Sequence, residues 1–127
     1  MQIKALYFPA GQFQGYKERF IETATNDEFY KLIKTDTIDI VQREFSGKRY
    51  CLVIDDLARL REKRPPASVL TKDFKVDIFG NVVFTGLPNY RGELTSLTDD
   101  EISNLINHIS LFFEEATNQA MQCMVEY

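Results

Sequence analysis

Between Leu97 and Ala120 a Thr98-x-x-Glu101 signature is followed by apolar residues at intervals of three and four: Ile102, Leu105, Ile106, Ile109, Phe112, Phe113, Ala116 and Ala120. A threonine hydroxyl and a glutamate three residues later satisfy two backbone amides that a first helical turn leaves unpaired. Leu97 and Ile102 stand at the spacing of a hydrophobic staple. This pattern predicts a long C-terminal helix from about residue 99 to the low 120s, packed across one face of a sheet.

Upstream, the periodicity changes to that of strands. Gln2–Phe8 alternates and ends at Pro9-Ala10-Gly11, and 16–24 reads as its antiparallel partner. Thr25 and Glu28 fit a capping box for a short helix near 26–34, with Phe29, Leu32 and Ile33 as its apolar stripe. Thr37–Arg43 and Arg49–Ile54 flank Ser46-Gly47 and predict a hairpin, closed by turn-forming Asp55-Asp56. Pro65-Pro66 forbids a helix through that point, and residues 57–80 are otherwise the least legible stretch. Phe74, Val76 and Ile78 alternate, Val82–Thr85 is a short buried strand, and 87–95 is a loop. The expected fold class is α+β: a small mixed or antiparallel sheet with a short helix and a long C-terminal helix on one face. At 127 residues, without repeat or linker, the chain reads as a single domain, 1–127.

Ten Phe and six Tyr supply a core, since each buries on the order of 150–250 Å². Two cysteines far apart, Cys51 in an apolar strand and Cys123 near a terminus expected to fray, argue against a disulfide. Apolar runs are too short for a bilayer and no leader opens the chain, so a cytoplasmic protein is expected. The net charge of −4 is unevenly spread. Residues 1–92 hold all 15 Lys and Arg against 12 acids, whereas 93–127 hold seven acids and no Lys or Arg. Asp99, Asp100, Glu101, Glu114 and Glu115 would then make the last helix acidic, a candidate contact for a basic partner.

Signatures of chemistry are sparse. No nucleophile elbow, phosphate-binding glycine loop or Cys/His metal spacing is present, so no catalytic residue, metal or cofactor is expected. The one histidine, His108, reads as a partly exposed surface residue. Asp55 and Asp56 could serve a small-ligand or enzymatic site only if they converge with a group such as Arg59. The run Arg59-Leu60-Arg61-Glu62-Lys63-Arg64 could bind phosphate, making Arg59, Arg61, Lys63 and Arg64 candidate nucleic-acid contacts with Lys48 and Arg49 nearby.

The succession of Leu32–Val41, Val53-Ile54-Asp55-Asp56, Arg64-Pro65-Pro66-Ala67, Phe79–Gly86 and Ser96-Leu97-Thr98 resembles a family of domains of unknown function. That family is carried by phages, plasmids and conjugative elements, mainly of Gram-positive bacteria, and the likeness spans roughly 26–110. It implies no catalytic residues. It does imply a setting: a small non-enzymatic protein in the bacterial host cell that binds a host protein, such as a restriction or CRISPR nuclease, and counteracts defence. Nucleic-acid binding through residues 59–64 is the alternative expectation.

Overall fold

The structure, a computed structural model, describes residues 1–11, 15–114 and 118–127. Strand β1 (Gln2–Phe8) pairs antiparallel with β2 (Lys17–Glu22) over six residue pairs. Helix α1 (Asp27–Ile33) follows, then the hairpin of β3 (Ile38–Phe45) and β4 (Lys48–Asp55). Ser46 and Gly47 between them both take positive φ, 53° and 77°, the mirror-image turn whose twist suits a two-residue hairpin. A 3₁₀ turn (Ala58–Leu60) leads to β5 (Ala67–Leu70) and β6 (Val76–Phe79). Then come β7 (Val82–Thr85), α2 (Asp99–Ile106), β8 (Ile109–Glu114) and β9 (Gln119–Val125).

These strands form two sheets. The first is antiparallel with order β2-β1-β7-β4-β3, and the second has order β6-β5-β9-β8 with β5 and β9 parallel. Alternation sets which side chains face which layer. Ile3, Ala5, Val53 and Val83 point to one side of the first sheet, where α1 covers them with Phe29 and Ile33. Leu6, Phe8, Tyr50, Leu52, Val82 and Phe84 point to the other. There they meet Ile102 and Leu105 of α2 and Val69, Ile78 and Met124 of the second sheet. Covered on both faces, β7 is buried at all four positions, which explains its continuous apolar run.

The expected α+β fold with a long C-terminal helix is wrong: the described residues are mostly β, with two sheets and two short helices among them. Helix α2 begins as expected. Thr98 accepts from the Glu101 amide at 3.1 Å, the Glu101 carboxylate accepts from the Thr98 amide at 2.9 Å, and Leu97 and Ile102 are both buried. It stops at Ile106, because beyond it Ile109, Leu111 and Phe113 lie on one side and Ser110 and Phe112 on the other, paired to β9 from Ile109↔Met124 to Glu114↔Gln119. Branched and aromatic side chains favour a pleated, half-buried surface, and the pairing satisfies their backbone within the hairpin. Ala116 falls outside the described residues.

Three smaller expectations also fail. His108 is 1% exposed: its Nδ1 lies 2.9 Å from the Val125 carbonyl oxygen and its Nε2 2.8 Å from Ser46 Oγ. Facing a carbonyl, Nδ1 must carry the proton, so Nε2 accepts from the serine hydroxyl. Cys123 is buried in β9 rather than frayed, and both cysteines are free thiols. At α1 the cap is Asn26 without a side-chain bond, while Glu28 instead accepts from the Glu22 amide at 3.1 Å. Strand β5 lies in the stretch whose pattern was unreadable.

Candidate functional site

Residues 87–95 link β7 to α2 and hold their own shape. At the base, the Gly86 amide donates to the Thr95 carbonyl at 2.9 Å, and Thr95 Oγ1 donates to the Leu87 carbonyl at 2.7 Å. Gly86 is needed there, because a Cβ would sit 2.4 Å from Thr95 Oγ1 and 2.9 Å from the Ser96 carbonyl oxygen. Asn89 organises the tip. Its side-chain oxygen accepts from the amides of Arg91 (2.9 Å) and Glu93 (3.1 Å), while its carbonyl accepts from Gly92, at φ 78°. Asn, Gly and a positive φ are the ordinary chemistry of such turns.

This bonding presents Tyr90, 89% exposed, and Arg91, whose guanidinium lies 5.4 Å from the Tyr90 ring centroid. Beside the loop, a cavity of about 460 Å³ opens between α1 and the start of β3, with Phe29, Ile38, Asp39, Glu93 and Leu94 in its lining. Its size is in the roughly 300–1,000 Å³ range of binding clefts. Tyr and Arg are the residues most often found as binding hot spots, and a pre-ordered loop loses little entropy on binding. Sequence reasoning read these residues as a loop and no more. The dense Pro-Asn-Tyr-Arg-Gly chemistry of 88–92 was the available signal.

The acids expected on one long helix are split between α2 and β8. Asp99 pairs with Lys4 at 2.5 Å, which holds its carboxyl below the usual range. Asp100 is exposed in the first turn of α2. Glu101 is bound in the cap and lies 3.3 Å from Lys48. Glu114 ends β8, and Glu115 lies outside the described residues. Asp99, Asp100 and Glu101 thus stay together in the first turn of α2, and Glu114 lies on a strand instead of a helix.

Much of the basic run is committed internally. Arg61 Nη2 donates to Asp55 Oδ1 at 3.0 Å and to Thr35 and Thr37 hydroxyls at 2.8 and 3.1 Å. Arg59 donates to the Asp77 carbonyl at 2.9 Å, and Arg59 and Arg64 both lie about 5 Å from the Phe79 ring centroid. Lys63 is exposed, as is Arg49, whose Nε donates to the Gln42 side chain at 3.5 Å.

Asp55, Asp56 and Arg59 do line one depression, but its volume is about 100 Å³, well below the size of ligand clefts. Burial pushes the Asp55 carboxyl up, and bonds from Arg61, the Leu57 amide and Thr37 more than reverse it, so it is held below the ordinary carboxylate range. It works as a structural acceptor. Among the described residues no group of three or more His, Cys, Asp or Glu could hold a metal ion.

One cluster escaped the sequence entirely. Arg43 of β3 donates to both Asp77 oxygens (2.7 and 3.2 Å) and lies 3.9 Å from Glu126, tying the first sheet to the second. Burial, then the facing Asp77 carboxylate, pushes the Glu126 carboxyl up to about 8, while Arg43 opposes. Burial also disfavours the Asp77 anion, but the hydrogen bond from Arg43 prevails and lowers it. Residues 34 to 83 positions apart cannot be matched by local pattern.

A family model described as a domain of unknown function (DUF3846) matches residues 3–110. No curated protein and no solved structure matches the chain. Among the described residues no helix is long and apolar enough to cross a membrane.

Proposed function

The chain belongs to the DUF3846 family, and from that premise we propose that it is a non-enzymatic protein-binding domain whose contact surface is loop 87–95. One observation carries the reading: a fully presented Tyr90 beside Arg91, on a loop whose backbone is already fixed by its own hydrogen bonds. Nothing in the fold requires an aromatic at that tip, whereas an exposed ring with a stacked guanidinium is what a partner's pocket would receive. The adjoining cavity offers a concave surface for the partner in return. The setting follows from the mobile-element resemblance: a bacterial host protein, with a restriction or CRISPR nuclease as the first partner to test.

The experiment compares the wild type with a Tyr90→Ser/Arg91→Ser double variant. Each is immobilised and exposed to purified host nucleases, with binding and DNA cleavage both measured. The wild type is expected to bind and reduce cleavage, and the double variant to bind roughly 30-fold more weakly, as loss of a hot spot of about 2 kcal/mol implies. Equal binding by both proteins, with equal thermal stability, would remove the loop from the contact. The alternative is nucleic-acid binding through residues 59–64, in which Lys63, Arg64 and Arg49 would carry the phosphate contact. It predicts retention of DNA or RNA at low salt that falls steeply as salt rises, and flat anisotropy at low salt would end it.

A further inference from the structure

We propose that β8 is where two copies of this chain associate, one β8 pairing antiparallel with the other. The inference is independent of the loop. An open sheet edge offers unpaired N–H and C=O groups, and proteins guard such edges with charge, brevity or irregular register. Among the described residues four strands are edges: β2, β3, β6 and β8. Three are guarded. β2 carries Lys17, Glu18 and Arg19; β3 carries Asp39, Arg43 and Glu44; β6 has four residues, includes Asp77 and meets β5 with register shifts.

β8 is the least guarded of the four: its one charged residue, Glu114, is the last of the strand. Ile109-Ser110-Leu111-Phe112-Phe113 is uncharged, and its register with β9 runs unbroken over six pairs. Leu111 and Phe113 share one side of the strand and are 63% and 62% exposed, although Ile109 on that same side is paired to the buried Met124. Phe112 faces the other way, edge-on to Phe74 at 5.9 Å.

The occupant follows from the strand's symmetry. In an antiparallel pair centred on Phe112, Leu111 of each copy stands opposite Phe113 of the other, giving two cross-strand apolar pairs. A two-fold contact also closes on itself, consuming the unguarded edge without propagating a fibre. The two four-stranded sheets become one of eight strands. Such a contact buries less than the roughly 1,200 Å² of a tight complex, so the dimer is expected to dissociate in the range of roughly 1–100 μM.

Sedimentation velocity of the full chain across that concentration range tests it. The wild type is expected to shift reversibly from monomer to dimer. Leu111→Lys, placing a guarding charge on an exposed position, is expected to stay monomeric with unchanged circular dichroism and melting. Phe113→Lys repeats the test should the first variant unfold, and wild-type β8 amides should exchange more slowly as concentration rises. A wild type monomeric throughout would overturn the proposal, as would a dimer untouched by both lysines. The Tyr90→Ser/Arg91→Ser variant should dimerise normally, which keeps this result separate from that of the loop.

Discussion

Replacing His108 by alanine should cost about 4–5 kcal/mol of stability. The ring is buried between Phe45, at a centroid distance of 5.3 Å, and Tyr127, at 4.2 Å. Removing a ring of that size from a packed site costs about 2–3 kcal/mol in lost transfer energy and residual cavity. Its two hydrogen bonds add about 1 kcal/mol each, the larger share from Val125, whose buried carbonyl is left without its side-chain donor. That is a large fraction of the roughly 5–15 kcal/mol available to a domain. Urea unfolding followed by circular dichroism would show it as a lower midpoint with an unchanged slope. Ser46→Gly is the matched control, since glycine accepts the positive φ of the turn and the loss is the side chain that carries the hydroxyl, at a cost of about 0.5–1 kcal/mol. If His108→Ala costs no more than Ser46→Gly, the ring does not join α2, the β3–β4 turn and the C-terminal strand as argued.

The Glu126–Asp77–Arg43 cluster makes stability depend on pH. Glu126 has a folded pKa of about 8 against an ordinary 4.5, so the folded state holds the extra proton and stability should fall as pH rises from about 4.5 to 8. Glu126→Gln should flatten that slope and gain about 1 kcal/mol at pH 8, after allowance for solvent screening; identical slopes in urea titrations from pH 5 to 8.5 would refute the assignment. Gly86→Ala should destabilise by about 2–3 kcal/mol through its clash with Thr95 and Ser96, measured by thermal melting, and weaken partner binding along with the loop. Thr98→Ala should cost about 1 kcal/mol by removing half of the α2 capping box, read from the same melts. Arg61→Gln should lower the melting temperature more than an ordinary surface change, because Asp55 loses its cation; an unchanged melt would make the Asp55–Arg61 pair incidental.

Local signals carried the elements whose stability is local. Ser46-Gly47 placed the β3–β4 hairpin within a few residues, Thr98 with Glu101 placed the start of α2, and the Pro-Asn-Gly content of 87–95 marked a loop. Such turns and caps are decided by neighbours in the chain, through φ preferences and short-range hydrogen bonds. Tertiary pairing decided the rest. Ile102, Leu105, Ile106 and Ile109 satisfy a helical stripe, but from Ile109 onward the same residues satisfy a strand equally well, and β9 supplies the hydrogen bonds that settle it. The charge imbalance was real in the sequence, yet the fold spent Asp99 on Lys4 and Glu101 on its own cap and Lys48, and Arg61 on Asp55. His108 looked peripheral because its partners, Ser46 and Val125, are 62 and 17 residues away. Composition and short-range pattern thus determined the turns, the cap of α2, the alternation of β1 to β4 and the apolar run of β7. Which residues converge, in the Arg43 cluster, around His108 and along the open edge of β8, was decided only when distant segments packed, because those contacts draw their energy from burial that no local window contains.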